Sequence, residues 1–244
     1  HRWTEFVSDM LPSYSYDTRP VVTGLNQFAM VVYKSAISTP FVATEFKVNT
    51  AGNVLQIIPR NFPAAYVNSS CGSPTITNGE GKYHLAYQWG VFSIGYLRWS
   101  VYTDPSTFNY YSSPSNGSGY NLNMEPSISL ANFNPVISWK GSLYAGSPQA
   151  VLRRGTLSGS NMIWSDFLKV GNNINYVHSN SASNSTEKTV MTWSQDGSTT
   201  KWVRRTYPVN GKTEYSSPQG LNPSGINSQV SSGTDYNNMK ANIF

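Results

Sequence analysis

The sequence predicts an all-β protein made of four-stranded antiparallel blades in series, a β-propeller of about four complete blades with partial blades at both termini. Three observations predict it: an aromatic residue returns at a fixed spacing, four apolar runs surround each return, and no helical stripe persists. The aromatics close the segments QFAMVVYKS, KYHLAYQWG, NPVISWKG and KTVMTWSQDG. They are Tyr33, Tyr87, Trp139 and Trp193, so the spacings are 54, 52 and 54 residues. A fixed period of this length is the mark of a repeat architecture, and a β-sandwich of the same size would show none.

Each repeat opens on an apolar run: RPVVTGLN, SPTITNGEG, EPSISLAN and, without proline, INYVHS. Pro20, Pro74 and Pro126 mark the first three, and a proline at the first residue of a strand sacrifices no ladder bond. The run ending in the repeat aromatic is the second strand. A third follows in FVATEFKV, IGYLRWSVY, AVLRRGTL and KWVRRTY, alternating with period two. The fourth strand is weaker, in NVLQIIP, FNYYSS, IWSDFLKV and TEYSSP, with Asn, Gly and Ser turns between the runs. The expected blades cover residues 19–72, 73–124, 125–173 and 174–225, in one domain or a fragment of one. Partial blades are expected over 1–18, where RWTEFVSDML matches IWSDFLKV, and over 226–244. The terminal pieces combine into one blade that closes a small ring, or the chain is cut from a longer propeller; the second is favoured because the shared blade would lack its third strand.

The composition narrows the class. In 244 residues, hydrophobic side chains make up 39% and charged ones 12%, so the chain is apolar enough to fold and keeps its surface wet with Ser, Asn, Thr and Gly. No run approaches the ~20 apolar residues of a membrane-spanning helix. The net charge of +5 is scattered, with no basic run longer than Arg153-Arg154 or Arg204-Arg205, so no nucleic-acid partner is expected. One cysteine, Cys71, excludes an internal disulfide and a thiolate zinc cage. Asn68, Asn116 and Asn184 each open an Asn-x-Ser/Thr triplet, which accepts an N-glycan in a eukaryotic secretory pathway or is coincidence in so Asn- and Ser-rich a chain. The chain opens at His1 without a signal segment and is read as a mature product or a fragment.

Unit two, SPTITNGEGKYHLAYQWG followed by IGYLRWS, resembles the sialidase-like (BNR-type) β-propeller repeat family, in which a proline-led strand precedes an aromatic-ended strand and an arginine-bearing one. The resemblance spans nearly the whole chain and implies a propeller. That family carries an Asp-box turn, which Ser194, Asp196, Gly197 and Trp202 approach with altered spacing, so the segment is read as an ordinary Asp-Gly hairpin. Its enzymes need three arginines on a substrate carboxylate, a Tyr–Glu nucleophile pair and an Asp acid. Arg98, Arg153, Arg154, Arg204 and Arg205 supply guanidinium, but on third strands away from a central axis, where they pair with neighbouring blades or face solvent.

No catalytic set emerges from the residues themselves. Asp104, Glu125, Asp166 and Glu187 lie in turns or at strand edges without a carboxylate-pair motif. His84 and His178, with His1, have no metal-ligand spacing, and no phosphate loop or nucleophile elbow is present, so neither metal nor cofactor is expected. Aromatic richness remains. Aromatics on the repeat are inter-blade packing; Trp89, Trp99, Tyr110 and Tyr111, off it, are packing or a stacking platform for a sugar. Together with Arg98 and Arg153 they are the candidate ligand-binding residues. The expected function is that of a non-catalytic propeller, extracellular or at the cell surface, binding a glycan or protein partner. The alternatives are a sialidase-like glycoside hydrolase or lyase whose site is completed by further blades, and a structural segment of a larger secreted assembly.

Overall fold

Period-two alternation makes each apolar run a strand with two usable faces, and the computed structural model of the chain pairs these runs as consecutive antiparallel meanders. It describes residues 21–25, 27–34, 39–51, 53–100, 108–182, 187–195, 199–207, 214–215, 219–221, 232–235 and 240–243. The first sheet is β1 (Val21–Leu25), β2 (Phe28–Lys34), β3 (Phe41–Val48) and β4 (Val54–Asn61), in that order. The second is β5 (Cys71–Gly79), β6 (Lys82–Trp89), β7 (Ser93–Ser100) and β8 (Asn109–Tyr110).

The third sheet runs β9 (Leu122–Ala131), β10 (Asn134–Ser142), β11 (Gln149–Ser158) and β12 (Asn161–Trp164), and β13 (Leu168–Val170) also pairs with β11. The fourth repeats this pattern with β14 (Ile174–Ala182), β15 (Glu187–Gln195), β16 (Thr199–Tyr207), β17 (Glu214–Tyr215) and β18 (Gln219–Leu221). A hairpin of β19 (Ser232–Asp235) and β20 (Lys240–Ile243) follows, with β19 against β14. The amino-terminal run RWTEFVSDML and the Asp196-Gly197 turn lie outside the described residues.

Neighbouring sheets stack face to face, and each seam has its own core. Met30, Val32, Phe41 and Ala43 of the first sheet pack on Tyr83, Leu85, Tyr87 and Leu97 of the second. The opposite face of the second sheet, with Ala86, Ile94 and Tyr96, meets Ile128, Ile137, Trp139 and Val151. Beyond the third sheet, Val136, Ala150 and Leu152 meet Ile174, Met191 and Trp193. The repeat aromatics Tyr87, Trp139 and Trp193 are therefore seam residues, each fully buried against the sheet before it. This is the inter-blade packing expected from their period.

The prolines sit elsewhere than the sequence suggests. β5 begins at Cys71 and β9 at Leu122, so Pro74 and Pro126 lie inside their strands rather than at their first residues. Each belongs to a bulge. Ser73 and Pro74 together oppose Tyr87, and Glu125 and Pro126 together oppose Trp139, because the register jumps at those points. A bulge leaves a residue out of the ladder, and proline, lacking an amide hydrogen, costs nothing there. Ser73 and Glu125, immediately before the prolines, adopt positive φ values of 46° and 52°. Proline and aromatic thus share a period because they face each other across one pair of strands.

The Tyr87 ring lies over Gly95, its cross-strand partner, so closely that a Cβ there would fall 2.2 Å from the ring. Gly95→Ala is expected to displace a fully buried ring and lower stability by about 1–3 kcal/mol, the usual cost of overpacking. Gly72→Ala, where a Cβ meets nothing within 4 Å, is the control and should be near neutral in urea unfolding of the two variants beside the parent protein.

Candidate functional site

The linker from β4 to β5 crosses the first seam, and two groups hold it in place. Lys34 Nζ donates to the carbonyls of Ser69 and Cys71 at 2.9 and 2.8 Å. The Tyr87 hydroxyl donates to the Tyr66 carbonyl at 2.6 Å. Pinned in this way, the linker lays the Tyr66 ring flat on Tyr110 of β8, with centroids 4.6 Å apart and planes 7° from parallel. Trp89, at the end of β6, meets Tyr110 edge-on at 5.7 Å. All three rings are half-buried. Their polar tips, two hydroxyls and an indole N–H, make no hydrogen bond among the described residues.

The rings pack against the apolar core of the first seam. Burial pushes the Tyr110 phenol up, helped by Tyr66 and Cys71, and pushes the buried Cys71 thiol up against the opposing influence of the Asn68 amide and Lys34. Lys34 itself is lowered by burial, with Cys71 opposing. An arrangement of aromatic faces edged by unused donors can stack a flat apolar surface and hydrogen-bond the polar groups at its rim.

Of the six residues singled out from the sequence, the structure brings Trp89 and Tyr110 together and adds Tyr66, which sequence reasoning missed. Trp99 faces the same seam but lies beneath it, only 4% exposed and packed by Phe62, Tyr83 and Phe108 at 5.3–5.5 Å. Arg98 and Tyr111 occupy the opposite face, toward the third sheet. Arg98 is buried there in register with His84, and Tyr111 packs on Tyr96 at 5.6 Å.

Arg153 reaches the second seam from β11, where its guanidinium is held by four backbone carbonyls, those of Pro114, Asn116, Trp164 and Ser165. It also lies 4.1 Å over the Phe167 ring. It therefore does for the linker into the third sheet what Lys34 does for the linker into the second. Arg204 and Arg205 are in β16, in register with Val190 and Thr189.

Two of the described carboxylates are held by cations. Glu45 Oε2 accepts both Nε and Nη2 of Arg60, at 3.0 and 2.8 Å, in a buried ion pair. Glu125 meets Lys140 at 3.1 Å. His84 is 1% exposed, and its Nδ1 lies 2.7 Å from the Tyr96 hydroxyl. Burial first, then Arg98 and Lys82, hold its pKa down at about 3. Among the described residues no group of three or more His, Cys, Asp or Glu could hold a metal ion.

No protein-family model matches the sequence, and no curated protein matches it. Solved structures share the architecture. AofleA from Arthrobotrys oligospora superposes with a TM-score of 0.64 at 10% identity, over 95% of this chain and 65% of that one. SapL1, a lectin solved in complex with α-methyl fucoside, superposes with a TM-score of 0.53 at 10% identity, over 88% of this chain and 68% of that one. A thermostable family-43 glycoside hydrolase gives a TM-score of 0.45 at 11% identity over 82% and 75%. At such identities the first two likenesses concern fold alone, and this chain spans about two thirds of the length of each.

His84 gives a pH test with a fixed sign. Its pKa of about 3 in the folded protein lies below the ordinary 6.5, so the unfolded chain binds the proton more tightly. This contribution to stability is complete above about pH 6.5 and is lost as the pH falls toward 3, by at most about 1.4 kcal/mol per pH unit. Urea unfolding between pH 7 and 4 should show a shallower decline for His84→Gln than for the parent protein.

Proposed function

We propose that the protein is a sugar-binding β-propeller, secreted or displayed at a cell surface, that recognises a glycan without turning it over. The observation that carries this reading is the half-buried group of Tyr66, Trp89 and Tyr110, in which the pinned linker lays Tyr66 on Tyr110 and the polar tips are unused among the described residues. A sugar ring offers the matching surface, with C–H groups to lie against an aromatic and hydroxyls at its edge. Four meander sheets stacked seam to seam support the reading as blades of a propeller, with the hairpin β19–β20 against β14 as part of a further one. The likeness to SapL1, which was solved with a bound fucoside, supports a sugar as the ligand. Engagement of Glu45 and Glu125 with cations supports binding rather than hydrolysis, since glycoside hydrolysis needs two carboxylates flanking the bond.

A glycan array probed with the chain should show selective binding. Trp89→Ala and Tyr110→Ala should each weaken the best ligand by about 2 kcal/mol, roughly thirtyfold, in calorimetry. Arg153→Lys, at the other seam, should leave that affinity unchanged. An array on which no glycan binds above background would sink the reading. Fluorogenic glycosides should be left intact, and turnover lost on substituting either aromatic would convert the site into that of an enzyme.

A further inference from the structure

The linker between the second and third sheets contains one of the chain's Asn-Gly pairs in a setting unlike that of the other described pair. Asn116 is exposed in the turn over residues 114–117. Its side chain makes no hydrogen bond among the described residues, although its backbone is held at both ends: the amide donates to Ser113 O at 3.2 Å, and the carbonyl accepts Arg153 Nη1 at 3.1 Å. Gly117 has φ of +75°, and nothing stands within 4 Å of where its Cβ would be. Its own amide has no partner among the described residues, whereas its neighbour Ser118 donates to Ser115 O. Electrophile and nucleophile are thus adjacent, uncovered and disengaged.

At Asn78-Gly79 the side chain is engaged and the backbone is paired in a strand. The Asn78 side-chain amide donates to Thr23 Oγ1 and Gly24 O across the first seam. The pair lies in β5, with Asn78 in register with Tyr83 and Gly79 with Lys82.

We propose that Asn116-Gly117 is a site of spontaneous modification, at which the side-chain amide of Asn116 is converted to an acid through a cyclic imide. The Gly117 amide nitrogen bonds to Cγ of Asn116, the Cγ–Nδ2 bond breaks, and Nδ2 leaves as ammonia with the proton that the Gly117 nitrogen gives up. Water then opens the imide at either carbonyl. One opening yields aspartate on the original backbone, and the other yields isoaspartate, which inserts a methylene into the main chain. The second product moves the carbonyl that Arg153 holds, so the modification loosens the linker as well as adding a negative charge.

The test uses the full chain made in bacteria, where Asn116 carries no glycan, incubated folded at mildly alkaline pH and followed by peptide mass spectrometry. The Asn116 peptide is expected to gain the mass of an amide-to-acid conversion, with isoaspartate present, while the Asn78 peptide stays unchanged. In the urea-denatured chain both are expected to convert. Equal inertness of the two peptides in the folded chain, or no conversion even when denatured, overturns the proposal. The deamidated fraction, separated from the parent by its added charge on ion exchange, should melt below both the parent protein and Asn116→Asp, which adds the charge but keeps the backbone; equal melting of all three overturns the coupling to Arg153.

Discussion

The stacking of the second, third and fourth sheets depends on one aromatic side chain of each second strand being seated against the sheet before it. Tyr87, Trp139 and Trp193 each fill the seam on their own side, and none retains measurable exposure. Such rings bury large apolar areas, so they dominate the energy of stacking one sheet on the next. The backbone opposite must make room, and in the second and third sheets it does so with a bulge containing proline. Glycine supplies the remaining space where Tyr87 crosses Gly95 and where Trp193 approaches Gly171. A single packing requirement therefore explains three separate sequence features.

The linkers meet a second requirement, since chain running between sheets brings carbonyl groups with it that need donors. Lys34 and Arg153 supply them from opposite directions, the first from the preceding sheet and the second from the following one. Serines complete the second linker, with Ser113 Oγ donating to Ile94 O and Ser115 Oγ accepting from Ile94 N. Asn123 ties this linker to the seam aromatic, because its Oδ1 accepts Trp139 Nε1 at 2.8 Å while its Nδ2 donates to Tyr120 O at 3.4 Å. Rigid linkers convert half-buried rings such as Tyr66 into parts of a fixed surface.

Much of this was legible in advance. The runs assigned to third strands lie inside β3, β11 and β16, and the described part of the remaining one, Ile94–Ser100, lies inside β7; the aromatic period located the seams, because strand alternation and burial leave a direct trace in residue order. Less could be read about the site. Tyr66 stands in a linker, off every period, and its role follows only from its stack on Tyr110. The division of the other candidates was available from parity, since neighbours such as Arg98 and Trp99, or Tyr110 and Tyr111, point to opposite faces of a strand. The prolines misled for a related reason: a bulge looks like a strand start when only one strand of the pair is in view.

The seam arrangement also sets the unit in which such a chain can change length. The second and third sheets each present one face shaped for the predecessor and another shaped for the successor, so a whole repeat can be gained or lost while each remaining junction still joins two complementary faces. Half a repeat cannot. It would leave an aromatic without its seat or a bulge without its ring, and growth by duplication is therefore quantised in steps of fifty-odd residues.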